Sequence, residues 1–289
     1  MPLEPYQEAF WYFIRERESI RKKKEAGLPK PWTDDPILQR YRFCNVNREH
    51  DKTTVWIREN WREPYSDHPK LWFAMCVARM FNLIPTLAAI GFPSPWDPKL
   101  LDIRLKARKK MGLKIFTSAY MLPGRFGEDK AEGILHRILT PLHQEPPPFA
   151  AYDGKGYTLR AAWEELYNRD GFGGFLAYEV ITDLRHTRYL RNAPDIMTWA
   201  NAGPGAIRGL NRYRGFVPGV PLGQYKANEL MRELLEMSKE QLPKDFPPLE
   251  MRDIEHCLCE YDKMYRAVNK DGKPKQRYDG VGDESPAPE

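Results

Sequence analysis

Cysteine is scarce: 289 residues carry four, Cys44, Cys76, Cys257 and Cys259, with no even spacing and no Cys-x-x-Cys. That excludes a disulfide-stapled scaffold and points to a reducing compartment, the cytoplasm. Long apolar runs are missing too. The nearest to one, Leu71 to Phe92, has Arg79 and Asn82 near its middle and Pro85 beyond, each costly in lipid, so it reads as a buried helix followed by a turn rather than a membrane span. The opening MPLEPYQEAFWYFIRERE has no basic stretch leading into an apolar one and is not read as a secretory signal. Charge of one sign is not in large excess: 45 Lys+Arg against 40 Asp+Glu leave +5, a mild basic bias compatible with nucleic acid without requiring it. Period-two alternation is rare, no repeat of fixed period is found, and no Gly-x-x-x-x-Gly-Lys-Ser/Thr occurs, since DGKGYT at 153–158 lacks the first glycine.

What is abundant is aromatic and helical. Aromatic residues make up 12% of the chain and prolines number 26; rigid flat side chains fill helical cores or stack on bases. Apolar positions recur with helical spacing almost throughout, which predicts a mostly α protein. Helices are expected over Pro5–Ala26, from Thr33 as N-cap through PILQRYRFCNVNRE, and near Thr53–Trp61, Lys70–Asn82, Pro98–Met111 and Glu128–Leu142. After the Pro/Gly-rich QEPPPFAAYDGKGYT come Thr158–Asn168, Gly174–Arg188, Pro194–Asn201, Gly205–Arg214, Tyr225–Gln241 and Pro248–Val268. Leu113–Met121 is the one strand candidate. These patterns divide the chain into an N-terminal helical lobe, 1–145, a second lobe, 146–268, and a polar tail, 269–289, with too little apolar content to pack.

Two glycine turns carry most of the functional signal. In GFGGFLA, Gly171, Gly173 and Gly174 permit a tight turn and expose backbone N–H groups at the start of a helix, where phosphate is readily held. The spacing resembles the helix–hairpin–helix of base-excision DNA glycosylases, whose catalytic Asp follows about twenty residues on, the place taken here by Asp195. Gly174 and Phe175 stand where lyase-type members carry a Schiff-base lysine, and only Cys257 and Cys259 lie downstream, so neither imine chemistry nor an iron–sulfur cluster is expected. The second turn sets Gly203 and Gly205 before a helix bearing Arg208, Arg212 and Arg214, groups suited to a DNA backbone or a pyrophosphate. An ordinary helix–helix turn is the alternative at both places.

In MRDIEHCLCEYDKMYRAV, Met251, Ile254, Leu258, Tyr261, Tyr265 and Val268 form a core stripe beside a second stripe of Glu255, Cys259, Asp262 and Arg266. The second stripe is either a solvated face with an Asp262–Arg266 pair or a site. Zinc on His256, Cys257 and Cys259 is a poor reading, because the two thiols point apart on a helix. Arg42, Asn45, Arg48 and Glu49 approximate another polar helix face, and Arg79 with Asn82 is a polar pair on an apolar helix. Buried ion pairing and site lining both remain open for these.

Together PWTDDPILQRYRFCNVNRE, CVARMFN, GFGGFLAYEVITDLRHT, WANAGPGAIRGLNR and DIEHCLCEYDKMYR, spread over residues 8 to 268, resemble the phage thymine-hypermodification family. That family comprises the α-glutamyl/putrescinyl-thymine pyrophosphorylases, or amino acid:DNA transferases, and the related helical domain of the 5-hydroxymethyluracil DNA kinases. The resemblance implies a two-lobed helix–hairpin–helix, DNA-glycosylase-like fold acting in the host cytoplasm. Its substrate would be double-stranded DNA bearing modified thymine, with a small amine donor and a functional link to a DNA kinase, and no membrane. An amino acid or polyamine would displace (pyro)phosphate from the 5-methylene of a flipped 5-hydroxymethyluracil. On that reading Asp195, Glu255 and Asp262 are catalytic or bind the amine; Arg42, Asn45, Arg48, Arg79, Asn82 and Tyr178 bind the substrate; and Gly171, Gly173, Gly174, Gly203, Gly205, Arg208 and Arg212 meet DNA. Tyr41, Phe43 and Phe172 join Tyr178 as candidates for holding the base. No cofactor is firmly implied and no metal ligand is assigned, although a divalent ion is compatible with the chemistry. Two rivals remain: a glycosylase excising a modified pyrimidine, and a non-catalytic DNA-binding helical partner of a kinase.

Overall fold

The computed structural model describes residues 4–117, 129–146 and 156–269. In chain order the helices are α1 (Pro5–Glu25), α2 (Pro36–Arg40), α3 (Lys52–Ile57), α4 (Leu71–Phe81), α5 (Ile84–Ile90), α6 (Pro98–Lys110), α7 (Lys130–Gly133), α8 (Thr140–Gln144), α9 (Leu159–Tyr167), α10 (Gly174–Leu184), α11 (Pro204–Tyr213), α12 (Gln224–Gln241) and α13 (Met251–Val268). A π-type stretch, Arg58–Arg62, continues α3, and another, Ile134–Leu139, joins α7 to α8. No strand occurs among the described residues, so the mostly α expectation holds. The strand expected at Leu113–Met121 is irregular over 113–117, and its remainder lies outside the described residues.

The chain forms two compact units, one of residues 1–51 with 196–289 and one of residues 52–195. The expected lobe boundary at 145/146 falls inside the second of these; most of the Pro/Gly-rich connection and the tail beyond Asn269 lie outside the described residues. In the first unit α13 is central, with Met251, Ile254, Leu258 and Tyr261 wholly buried. Phe10 of α1 meets Tyr213 and Tyr261 edge-on at 5.5 and 5.6 Å, and the Tyr261 hydroxyl donates to Tyr6 O at 2.8 Å. In the second unit every residue of α4 is buried, as expected of a helix apolar on all sides. The turn expected after it is a further helix, α5: Pro85 sits in its first turn, where its missing N–H costs nothing.

One expected helix is absent and another is cut short. Residues 194–198 are turns and 199–201 are irregular. The helix expected through Glu49 ends at Arg40, because short polar side chains downstream bind backbone instead. Asn47 Oδ1 accepts Glu49 N–H at 2.8 Å and Asp51 Oδ1 accepts Asn45 N–H at 2.9 Å. The segment runs extended and then through a 3₁₀ turn, Arg48–His50, while Tyr41, Phe43 and Val46 enter the core. At the start of α2 the cap is Asp35, whose Oδ1 accepts from Ile37 and Leu38; Thr33 supports it by accepting Asp35 N–H.

Candidate functional site

In the first unit the second stripe of α13 packs on α11 through Glu255, Cys259 and Asp262, and Arg266 at its end reaches solvent. The two helices approach closely enough that a Cβ on Gly209 would overlap the Leu258 carbonyl, and one on Gly205 would overlap Cys259 Sγ. The glycine requirement at Gly205 is therefore met by packing. Gly203 is the N-cap of α11 and its N–H donates to Glu255 Oε1 at 3.3 Å. A carboxylate thus already occupies part of the helix N-terminus where phosphate was expected.

One turn further on, three guanidinium groups converge on one carboxylate. Arg208 Nε donates to Asp262 Oδ2 at 2.9 Å and Arg212 Nε to Asp262 Oδ1 at 2.8 Å, while Arg266 Nε lies 3.2 Å from Oδ2. Asp262 is 0% exposed and the Arg212 side chain 7%, whereas Arg208 and Arg266 are 36% and 30% exposed. Arg212 also lies over the Tyr265 ring, 4.3 Å from its centroid. The cluster carries surplus positive charge, and its two outer arginines have N–H donors beyond the one facing Asp262. Such a fork, held from below by a buried carboxylate, suits an external phosphate. Both oxygens of Asp262 are taken up by the three cations, which fixes the guanidinium groups and leaves the carboxylate poorly placed for an incoming ammonium. Arg266 was missing from the expected site residues; its place on the Glu255–Cys259–Asp262 stripe was the signal for it.

The other residues read as one polar helix face do different jobs. Arg48 Nε pairs with Asp51 Oδ2 at 3.0 Å, and Asn45 accepts from Arg17 Nη2 at 3.2 Å and donates to His50 O at 2.8 Å. The Arg42 carbonyl accepts from Lys263 Nζ. These contacts tie the 41–51 segment to α1 and α13.

In the second unit Arg79 is 1% exposed and forms a bidentate pair with buried Asp183, at 2.5 and 2.6 Å, with further bonds to Thr54 Oγ1 at 3.1 Å and Asn82 Oδ1 at 3.3 Å. Arg62 lies 3.7 Å from the same carboxylate. Arg79 and Asn82 therefore form a core ion-pair network, a correction to their reading as substrate ligands. Tyr178 is also buried, as are Tyr41, Phe43 and Phe172; none of the four presents a ring for a base to stack on in this conformation.

The first glycine turn does join two packed helices, α9 and α10. Gly171 has φ +80° and faces Ile138, where a Cβ would clash, whereas Gly173, the N-cap of α10, is exposed with open space at its Cα. Trp163 Nε1 braces the turn by donating to Gly174 O at 2.9 Å. Asp195 caps α9: its Oδ1 accepts Leu159 N–H at 2.7 Å and its Oδ2 accepts Arg160 N–H at 3.0 Å, beside Thr158 Oγ1, which accepts Ala161 N–H. Sequence spacing gave no sign of this capping, made across 35 residues.

Comparison with known proteins adds to this geometry. The family model described as 5-hmdU DNA kinase, helical domain, matches residues 4–273. A curated protein of Bacillus phage SP10 named 5-hmdU DNA kinase is 28% identical over 287 residues, covering 88% of this chain and 44% of the relative. The chain spans less than half the length of that relative. No solved structure matches.

Proposed function

The chain belongs to the family of the 5-hmdU DNA kinase helical domain, and from that premise we propose that it handles 5-hydroxymethyluracil in DNA, holding the (pyro)phosphorylated base or its flanking phosphate at the arginine cluster of α11 and α13. One observation carries this reading: Asp262, fully buried, fixes Arg208, Arg212 and Arg266 beside the glycine turn, and the outer two reach solvent. The turn between α9 and α10, with exposed Gly173, supports a helix–hairpin–helix, glycosylase-like way of approaching the DNA backbone.

The chemistry proposed at this surface is amine transfer onto a flipped base. A C–N bond forms at the 5-methylene as the C–O bond to (pyro)phosphate breaks, the arginines take up the leaving charge, and a carboxylate takes the proton of the incoming ammonium. Glu255, on the same helix pair, serves as that carboxylate, since Asp262 is committed to the arginines. The reading implies no cofactor, and a divalent ion is compatible with the transfer step. A second reading, a DNA-handling partner of a kinase without transfer chemistry of its own, is favoured by the helical-domain match and by the greater length of the phage relative.

Incubation with duplex DNA containing phosphorylated 5-hydroxymethyluracil and a mixture of amines, followed by nucleoside mass spectrometry, separates the readings. A heavier nucleoside supports transfer, an alkali-labile abasic site indicates excision, and salt-dependent binding with unchanged nucleosides supports the kinase partner. Binding that ignores the modification and survives Arg208→Ala with Arg266→Ala would overturn the site.

A further inference from the structure

In the first unit Cys44, Asp51 and His256 each bring one metal-ligating atom to a common point, all within 4.8 Å of one another. We propose that they form a binding site for one zinc-class divalent ion, with three protein ligands and a fourth position left to water. The donor set decides the class of ion. A thiolate, an imidazole and a carboxylate suit zinc, whereas calcium and magnesium take oxygen ligands almost exclusively. With metal–ligand bonds of about 2.0–2.3 Å in a tetrahedron, donors stand roughly 3.3–3.8 Å apart, so closure needs side-chain movement of about an ångström.

The surrounding contacts hold the ligands in place before an ion arrives, as outer-shell partners do at metal centres. His256 stands on the rigid helix α13. The Cys44 N–H donates to Glu260 Oε2 at 3.0 Å and its carbonyl accepts from Arg17 Nε at 3.2 Å, so α13 and α1 grip the backbone that carries the thiol. Asp51 is tied to the same segment through Asn45 N–H at 2.9 Å. Arg48 Nε, 3.0 Å from Asp51 Oδ2, competes with an ion for that carboxylate, the charge of Arg252 acts on the same group, and that of Lys263 acts on Cys44. A carboxylate offers about four lone-pair sites, so Asp51 retains capacity for an ion while keeping both partners.

Cys257 and Cys259 are not part of this arrangement. Cys257 is buried in the core, and Cys259 Sγ lies against Gly205. The ligands come from segments more than two hundred residues apart in sequence, so no local Cys/His spacing announces them.

The test uses the full chain, purified without a histidine tag and stripped with chelator. Zn²⁺ is measured by elemental analysis after dialysis, and Co²⁺ is titrated while absorbance is read. The expected result is one equivalent of Zn²⁺ per chain and a thiolate-to-cobalt charge-transfer band. That band disappears in Cys44→Ser and persists in Cys257→Ser, and Asp51→Asn or His256→Gln weakens Zn²⁺ binding by about 100-fold or more. Circular dichroism identifies any variant that has not folded, and the wild-type titration alone decides the matter in that case. Wild-type protein that retains less than about a tenth of an equivalent, or a band that survives Cys44→Ser, overturns the proposal.

Discussion

Replacing Asp262 by Asn keeps its shape and removes the one negative charge among three guanidinium groups. The loss is unequal among them. Arg208 and Arg266, at 36% and 30% exposure, can turn to water, and pairs of that kind contribute about 0–1 kcal/mol each. Arg212, at 7%, cannot. Breaking a buried pair on one side costs about 3–5 kcal/mol because the remaining charge is left without compensation. The Tyr265 ring under Arg212 persists in the variant and offsets part of this, by about 0.5–2 kcal/mol. A net loss of about 3 kcal/mol follows, equivalent to roughly 6–12 °C in Tm for a body of this size. Thermal and urea unfolding of wild type and Asp262→Asn measure it. The double variant Asp262→Leu with Arg212→Met should recover most of the loss, since an apolar pair of similar volume replaces a buried ion pair at little cost. Phosphate binding provides an independent sign. Asp262→Asn makes the surface more positive, so bulk attraction alone would strengthen DNA binding, whereas arginines that depend on Asp262 for their position would bind more weakly. A Tm change below about 2 °C, or tighter binding to phosphorylated DNA, refutes the role given to Asp262.

Further outcomes follow from the same contacts. Gly209→Ala should destabilise by about 2–3 kcal/mol, and more than Gly205→Ala, because its methyl meets the rigid Leu258 carbonyl while that of Gly205 meets a side chain; paired unfolding curves test the order. Arg79→Met leaves buried Asp183 with Arg62 alone, at 3.7 Å, and should cost about 3–5 kcal/mol without a selective loss of DNA affinity in protein that remains folded. Asp195→Asn weakens a helix cap and should cost about 1 kcal/mol; a fall in amine transfer far beyond that loss, with DNA binding kept, supports a proton-transfer role, and unchanged transfer removes it. Burial pushes the Asp253 carboxyl up to about 7, opposed by the Glu250 backbone N–H and Arg252 and assisted by Glu250 and Glu49. The folded state therefore holds this proton longer than the unfolded chain, whose Asp titrates near 4, and stability from this group falls as pH rises from about 4 through 7. Asp253→Asn should flatten that part of the stability–pH curve, and an unchanged slope would count against the shift.

Helices were legible where apolar periodicity and punctuation agreed. Pro5–Glu25, Leu71–Phe81 and Gln224–Gln241 lie within one residue of expectation at each end, and Gly27, at φ +70°, follows the first as its stop. The 41–51 segment was not legible as a helix face because its apparent period came from polar residues whose partners are backbone atoms, a competition that spacing does not reveal. Glu255, Asp262, Arg208 and Arg212 were brought out by pattern, and the structure joins them on one helix pair. Arg79 was flagged just as strongly, yet its partner Asp183 lies far along the chain and places it in a core network. A polar residue on an apolar helix signals that a partner exists; whether the partner is protein or ligand is settled only by the fold.

The glycines show the same ambiguity and how it is resolved. Close helix contact and phosphate cradling both require a missing Cβ, so Gly-Pro-Gly before an arginine-bearing helix cannot separate them by composition. The space around each Cα can. Gly205 and Gly209 face α13 and are explained by packing, while Gly173 opens on to solvent and retains the capacity to approach a backbone phosphate. Close packing at Gly205 and Gly209 is also what brings Arg208 and Arg212 within reach of Asp262. The glycines of α11 thus act on the proposed anion site indirectly, by setting the distance between two helices whose side chains would do the binding.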